Sequence, residues 1–442
     1  MTDSLNAFLG QKNSYEDYPD KARLETGDNQ GVSSKSGVSG NSEAKFERYT
    51  ENLLEKIVSK KNLYEAYKKV KKNKGSHGVD DMEISELLPY LKQKADNLIK
   101  DLLEENYKPK PVRRVEISKS PGKTRLLGIP TVLDRTIQQA IKIVIEGYFE
   151  PNFSNNSYGF RPGRSTHDAL KRAKTYIEEG HDIAVDMDIE KFFDNINHDI
   201  LMTKIAKRIT DKRVLRLIRK YLNSGIMLKG MLVKNDKGAP QGGPLSPILS
   251  NIMLDSFDKE LESRGHAFVR YADDVTIYVK SKRAGKRVLK SATKYLSKEL
   301  KLIINQEKSA VDIATRRKFL GYSFYYSETG VNFRVHKKSF EKLKEKIRKI
   351  TNRNVSMSFD LRMKKLKDLV IGWVNYYKLA NMKWKLKKLD GWIRRRLRAS
   401  IWKTWKKVKT RFRNLNKLGI PEEKAREYAN TRKGYWRISR SP

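Results

Sequence analysis

The 442-residue sequence contains no cysteine and only six histidines. The first absence excludes a disulfide framework and a thiolate zinc finger, and the histidines form no pair at metal spacing, so any bound metal must be held by oxygen. No run of about 20 apolar residues occurs, and Met1 does not begin a charged-then-apolar signal peptide, so a soluble protein of the cell interior is predicted, with no membrane partner. Acid is scarce relative to base: 52 Asp and Glu stand against 94 Lys and Arg, a formal charge of +42. That charge repels itself unless a polyanion is bound, and nucleic acid is the obvious counterweight. Apolar residues are not scarce, and a 38% hydrophobic fraction is ample for folded cores in roughly two to four domains.

Along the chain, residues 1–45 are polar and rich in Ser, Gly and Asn, and read as a flexible tail or leader. Over 46–110 apolar positions such as Leu53, Leu54, Ile57, Leu63, Ala66 and Val70 recur at helical spacing, broken between Gly75 and Gly78. Short β-type runs then alternate with helical stretches over 111–325, the pattern of an α+β domain with an antiparallel sheet. Beyond it the sequence turns helical and very basic. From Arg334 onward there are 35 Lys and Arg against 8 Asp and Glu, and all six tryptophans lie there. Phe340, Leu343, Ile347 and Ile350 form an apolar stripe with lysines on other faces, so one side packs and the other can meet phosphate.

The acids in the middle region are patterned. Phe268–Val279 reads as a hairpin split by Asp273 and Asp274, and two adjacent like charges need a cation or solvent. An Asp-Asp turn alone is usually only a turn. A second β pattern at 181–188, however, puts Ile183, Val185 and Met187 on one face and Asp182, Asp186 and Asp188 on the other, and it too ends in an acid. Two strands that each deliver a carboxylate at one end can hold two Mg²⁺ ions about 4 Å apart, which activate a 3′-hydroxyl and stabilise a pyrophosphate leaving group. Mg²⁺ suits a chain that offers carboxylate oxygen and no thiolate. Asp182 and Asp186 read as an exposed strand face.

The block Asp188-Ile-Glu-Lys-Phe-Phe-Asp-Asn-Ile-Asn-His198, the block Pro240-Gln-Gly-Gly-Pro-Leu-Ser-Pro-Ile-Leu-Ser-Asn251 and Tyr271-Ala-Asp-Asp274 resemble, in order, core motifs of bacterial group II intron-encoded reverse transcriptases. Arg125–Arg135, Ser157–Arg164, Asn305–Lys308 and Phe319–Phe324 are similar to further family segments. The resemblance implies a right-hand polymerase: fingers and palm over 111–325, a helical thumb or maturase domain over 326–400, and a small basic DNA-binding-like region over 401–442. It implies an RNA-directed DNA polymerase that also serves its group II intron RNA as a splicing maturase in intron mobility, in the bacterial cytoplasm. Its other partners would be RNA template, DNA primer, deoxynucleoside triphosphates and target DNA.

By the same resemblance Asp188 and Asp273 bind the metals and Asp274 completes the cluster. Gln241 lines the incoming nucleotide, and Phe193 sits under its sugar, with adjacent Phe192 leaving a one-residue ambiguity. Lys119 and Arg125 on the fingers hairpin neutralise the triphosphate, and Lys308 serves the leaving pyrophosphate. Arg161 and Arg164 lie in a template-contacting loop. In the basic region Arg394, Arg395, Arg396 and Arg398 cannot all point inward, so part of that helix is predicted to meet phosphate, while most of the six tryptophans are predicted to be buried anchors. The family's endonuclease domain carries Cys pairs and His motifs that this sequence lacks, so an endonuclease-free member priming from an existing DNA 3′ end is expected, with a short or truncated terminal DNA-binding region. A non-catalytic RNA-binding maturase, or a stand-alone host or defence reverse transcriptase, would share parts of the pattern. The intact acids argue against the first, and the helical lead-in and Trp-rich region against the second.

Overall fold

The structure, a computed structural model, describes residues 52–120, 123–228, 231–233, 237–239 and 242–440, with the side chains of 118–120, 123–126, 228 and 231–232 left outside the description. The predicted tail over 1–45 and residues 121–122 lie outside the described residues. The chain divides into two compact units, one ending at Asn332 and the other running from Phe333.

The first unit opens with helices α1 (Leu53–Val58), α2 (Lys60–Lys72) and α3 (Ile84–Leu103), the predicted helical lead-in. Leu53, Leu54, Ile57, Leu63 and Leu102 of these helices are buried in the main core, while Tyr67, Val70 and Leu87 form a smaller cluster with Val132. Strands β1 (Val112–Ser120) and β2 (Lys123–Ile129) pair antiparallel, followed by α4 (Val132–Phe149) and α5 (Thr166–Glu178). Thr131 caps α4 by accepting from the Asp134 amide, and Ser165 and Asp168 form a capping box on α5.

Strand β3 (Ile183–Asp188) comes next, then α6 (His198–Ala206), α7 (Lys212–Leu222), short strands β4 (Ile226–Leu228) and β5 (Met231–Val233), and α8 (Ser246–Ser263). The hairpin β6 (Ala267–Tyr271) and β7 (Asp274–Val279), α9 (Lys282–Glu299) and β8 (Ala310–Ile313) complete the central part. The central sheet runs β6-β7-β3-β8, antiparallel throughout. A second sheet runs β2-β1-β4-β5.

Helix α9 packs on β3, β7 and β8. It does so closely because position 285 is glycine: a Cβ there would lie 2.5 Å from Val311 Cγ1 and crowd Val185 and Val279. Val185 and Met187 are buried while Asp186 and Asp188 keep contact with solvent, so the alternation in β3 sends its apolar side into the core and its acids to the other face. The fold is α+β, as the sequence pattern indicates. The hairpin β9 (Tyr322–Ser327) and β10 (Gly330–Val335) carries the chain across the boundary between the units.

The second unit is helical: α10 (Lys337–Ile350), α11 (Phe359–Tyr376), α12 (Lys383–Thr404), α13 (Val408–Lys417), α14 (Glu422–Asn430) and α15 (Tyr435–Ile438). Leu343 and Ile347 of the predicted α10 stripe meet Leu366, Leu389, Ile393 and Leu397 in one core. Trp402, Leu415, Ala425 and Ile438 form another. Helix α12 contributes to both, running through the boundary predicted at 400/401.

The tryptophans depart from expectation. Only Trp402 is buried, Trp373, Trp392 and Trp405 are half-buried, and Trp384 and Trp436 are exposed. The reason is local: these cores are small and built mainly on Leu and Ile, and they bury few large rings completely.

Candidate active site

Strand β3 brings Asp188 to the end of the central sheet, where it stands directly opposite Asp274, the first residue of β7. The β6–β7 connection is the two residues Ala272 and Asp273, with Tyr271 paired to Asp274. The three acids expected to act together therefore share one end of two adjacent strands. Such a tight turn requires a positive φ, and Ala272 adopts it at 59°. Gly159 lies beneath: a Cβ there would fall 2.2 Å from the Ala272 nitrogen. The loop read as template-contacting is, at Gly159, the floor of the acid-bearing turn.

The turn is also held from behind by a fully buried network that sequence reasoning missed. The Arg270 guanidinium donates to Asp258 at 2.5–2.9 Å, to Asn251 Oδ1 at 2.9 Å and to the Ala272 carbonyl at 3.0 Å. Asn251 in turn donates to the Gly159 carbonyl at 3.0 Å. Asn251 and Asp258 lie seven residues apart on α8, hence on one face of it, and Arg270 joins that face to the carbonyl of the hairpin turn. A charged residue inside the apolar strand run Phe268-Val269-Arg270 was the available signal.

Asp188 is fixed on its other side by the Asn305–Ser309 turn. Its amide donates to Ser309 Oγ at 3.0 Å, its carbonyl accepts from the Asn305 amide at 2.8 Å, and Lys308 Nζ lies 3.2 Å from its Oδ1. Lys308 is thus placed on the acid itself. Asp274 is exposed at the rim of the sheet yet hemmed in by protein. Lost hydration first, then the charges of Asp273, Asp188 and Asp186, push its pKa up to about 6, with Lys318 opposing.

Asp186 and Asp182 do not form the bare strand face read from the sequence. Asp186 is largely covered, accepting from Arg317 Nε at 2.5 Å and Thr276 Oγ1 at 3.0 Å, and Asp182 accepts from the Tyr326 hydroxyl. The physical reason is that Arg317 and Tyr326, both C-terminal to β8, reach back over that face.

Among the described residues no three of His, Cys, Asp and Glu are gathered closely enough to enclose an ion. Like carboxylates stand apart when nothing draws them in, and an ammonium already occupies one of them. The donor set nevertheless fits a hard divalent cation: oxygen ligands on two strand ends, and one carboxyl whose pKa is raised first by lost hydration and then by the charges of its neighbouring acids.

Phe192 is buried at 2% exposure, whereas Phe193 is half-buried and meets Phe192 edge-on with ring centroids 5.2 Å apart. The core thus claims Phe192, leaving Phe193 as the ring available to a ligand. The Phe193 carbonyl accepts from the Ala239 amide at 2.7 Å, and a Cβ on Gly238 would strike it. Gly242 packs as tightly on the Gly128 carbonyl at the end of β2. Gln241 lies outside the described residues, but both flanks of its loop are therefore placed. The backbones of Lys119 and Arg125 belong to β1 and β2, with Arg125 opposite Ile117, and their side chains lie outside the description.

The arginines assigned to nucleic acid are placed differently from expectation. Arg161 is buried, with its guanidinium on Glu150 Oε1 at 2.8 Å and on the carbonyls of Ser154 and Ser157 at 2.5 and 2.9 Å. It holds its own loop. Half-buried Arg164 bonds Asn155 Oδ1 at 2.9 Å and its carbonyl at 2.7 Å.

In the C-terminal unit Arg394 pairs with Asp390 at 2.9 Å, and Arg395 donates to the Trp436 carbonyl at 2.8 Å. Arg396 donates to Thr351 Oγ1 at 2.6 Å and Arg398 to the Ser439 carbonyl at 3.3 Å. Arg394 braces α12 within itself, while Arg395 and Arg398 tie the end of the chain, and Arg396 the end of α10, to α12. The arginine face read as a phosphate contact serves first as internal bracing.

Comparison with known proteins agrees with this geometry. Residues 109–324 match the family model of reverse transcriptases (RNA-dependent DNA polymerases), and residues 340–419 match the maturase-specific domain of group II introns. The chain belongs to the reverse transcriptase family, and its C-terminal unit carries a group II intron maturase-specific domain. It is 32% identical over 301 residues to protein YkfC of Escherichia coli, covering 59% of this chain and 79% of that protein. It is 37% identical over 226 residues to the group II intron-encoded protein LtrA of Lactococcus lactis, covering 50% of this chain and 37% of LtrA. With the putative COX1/OXI3 intron 2 protein of Saccharomyces cerevisiae it shares 29% identity over 344 residues, 64% of this chain and 40% of that one. The chain thus spans most of YkfC and less than half of the other two. Reverse transcriptases use divalent metal ions. Among the described residues no helix is long and apolar enough to cross a membrane.

Proposed function

We propose that this protein copies RNA into DNA by two-metal-ion nucleotidyl transfer and binds its group II intron RNA as a splicing maturase in intron mobility, in the bacterial cytoplasm. The observation that carries the reading is Asp188 facing Asp274 across β3 and β7, with Asp273 in the adjoining turn. These three carboxylates would hold two Mg²⁺ ions, which when bound lower the pKa of the primer hydroxyl and offset charge on the leaving pyrophosphate. Lys119 and Arg125 on the β1–β2 hairpin neutralise the triphosphate of the incoming deoxynucleotide, and Gln241 lines its base and sugar. Phe193, freed by the burial of Phe192, closes the space a 2′-hydroxyl would need. Lys308, bonded to Asp188, would accompany the leaving pyrophosphate. The RNA template, DNA primer and target DNA meet a chain of +42. Shape and backbone recognition of structured intron RNA falls to the basic helical unit.

Primer extension on an RNA template with Mg²⁺ tests the catalytic part. Asp274→Ala is expected to abolish synthesis, and synthesis that survives rules out the metal site. Splicing tests the rest: the intron RNA should react at low salt and low Mg²⁺ only with protein added, and absence of stimulation removes the maturase role.

A further inference from the structure

The arginines of α12 each make a bond within the C-terminal unit, whereas several of its lysines are left to solvent. One segment stands out. Lys378, Lys383, Lys385, Lys387 and Lys388 are all exposed, and no acid interrupts the sequence between Lys378 and Asp390. Amid them Trp384, in the first turn of α12, is 64% exposed, more than any other large apolar side chain among the described residues. It belongs to neither core of its unit. Lys388, one helical turn on, places Nζ 3.7 Å from the indole centroid, a cation–π contact that orients the ring without covering it. Trp436 shows the contrast: Arg395 lies 3.6 Å over its ring while bonding its carbonyl, a stack closed from within.

We infer that Trp384, with Lys383, Lys385, Lys387 and Lys388, is a stacking platform for an unpaired base of single-stranded RNA, the lysines meeting the phosphates on either side. An indole offers every base a π-face, and neighbouring ammonium groups track the backbone without reading sequence. The inference rests on the proposal that this unit binds RNA, and it names the site and the strandedness of the ligand.

Fluorine NMR of the full chain labelled with fluorotryptophan tests it, the Trp384 resonance being the one lost in Trp384→Phe. A single-stranded oligoadenylate is expected to shift that resonance, and a blunt RNA duplex of equal length to leave it in place. In fluorescence anisotropy Trp384→Ala should weaken oligoadenylate binding about tenfold, with Trp384→Phe within about threefold of the parent. If oligoadenylate binds the chain while the Trp384 resonance stays still, the platform is overturned and RNA binding stands. If oligoadenylate does not bind at low salt, both fall. Equal losses on oligoadenylate and duplex would also overturn the platform, since stacking requires an unpaired base.

Discussion

At the open end of the central sheet, Asp188, Asp273 and Asp274 share the ends of two adjacent strands, Lys308 Nζ lies 3.2 Å from Asp188, and Asp274 is left with a raised pKa. On α12 the opposite holds: Arg394, Arg395, Arg396 and Arg398 each find a carboxylate, hydroxyl or carbonyl within their own unit. Uncompensated charge concentrates where a ligand must be gripped, and compensated charge where helices must be braced. A run of like charges in a sequence does not say which of these it is. The geometry of its partners does.

The largest effect that could break this contrast lies just behind the acids, where compensation is complete. Arg270→Met leaves Asp258 buried and unpaired and frees the Ala272 carbonyl, so a loss of about 3–5 kcal/mol in denaturant unfolding is expected. Replacing both, Asp258→Leu with Arg270→Met, should recover much of the stability, because an apolar pair avoids the desolvation of two charges. Primer extension should stay low in the double variant, since nothing then holds the turn. Full activity in the double variant would reduce the network to packing.

How much of this was legible can be seen residue by residue. The acid-out alternation of β3 and the acids at the β6–β7 turn follow from period and composition. The register that sets Asp188 against Asp274 does not, because cross-strand partners far apart in sequence leave no local trace. Arg161 was misread for a similar reason: a Gly-containing basic loop looks solvated until Glu150 and the carbonyls of Ser154 and Ser157 are seen to enclose it. Arg270 was overlooked within an apolar strand, though a charge in such a place is itself a sign of a buried partner.

The adjacent phenylalanines give the next test. Phe192→Ala removes a ring from the main core and should cost about 3–5 kcal/mol in stability. Phe193→Ala, at a half-buried position, should cost less than about 1.5 kcal/mol. It should instead admit ribonucleotides in primer extension. Sugar discrimination unchanged in Phe193→Ala would remove it as the gate.

On α12, Arg396→Ala should lower the stability of the C-terminal unit by about 1–2 kcal/mol, the scale of charged hydrogen bonds to Thr351 and the Arg348 carbonyl. The salt dependence of RNA binding should hardly change, since that side chain is used internally. A fall of about one unit in the slope of log affinity against log salt would show instead that Arg396 contacts a phosphate.

The smallest effect concerns Asp274 and reverses the usual sense of a mutation. Its folded pKa, about 6, lies above the ordinary carboxylate value, so the folded chain holds this proton more tightly than the unfolded chain does. The linked stability is full below the ordinary carboxylate pKa and is lost as pH rises through about 6. Near neutral pH the ionised cluster therefore opposes folding, and Asp274→Asn should raise the melting temperature of the metal-free protein by about 1–2 °C. The gain should vanish in acid, where the parent is protonated. Mg²⁺ should raise the melting temperature of the parent more than that of the variant, and more above pH 6 than below it, because metal and proton compete for the same oxygens. A variant that melts below the parent at neutral pH would mean that attraction from Lys308 and Lys318 outweighs the repulsion among the acids. The two regions would then handle charge alike.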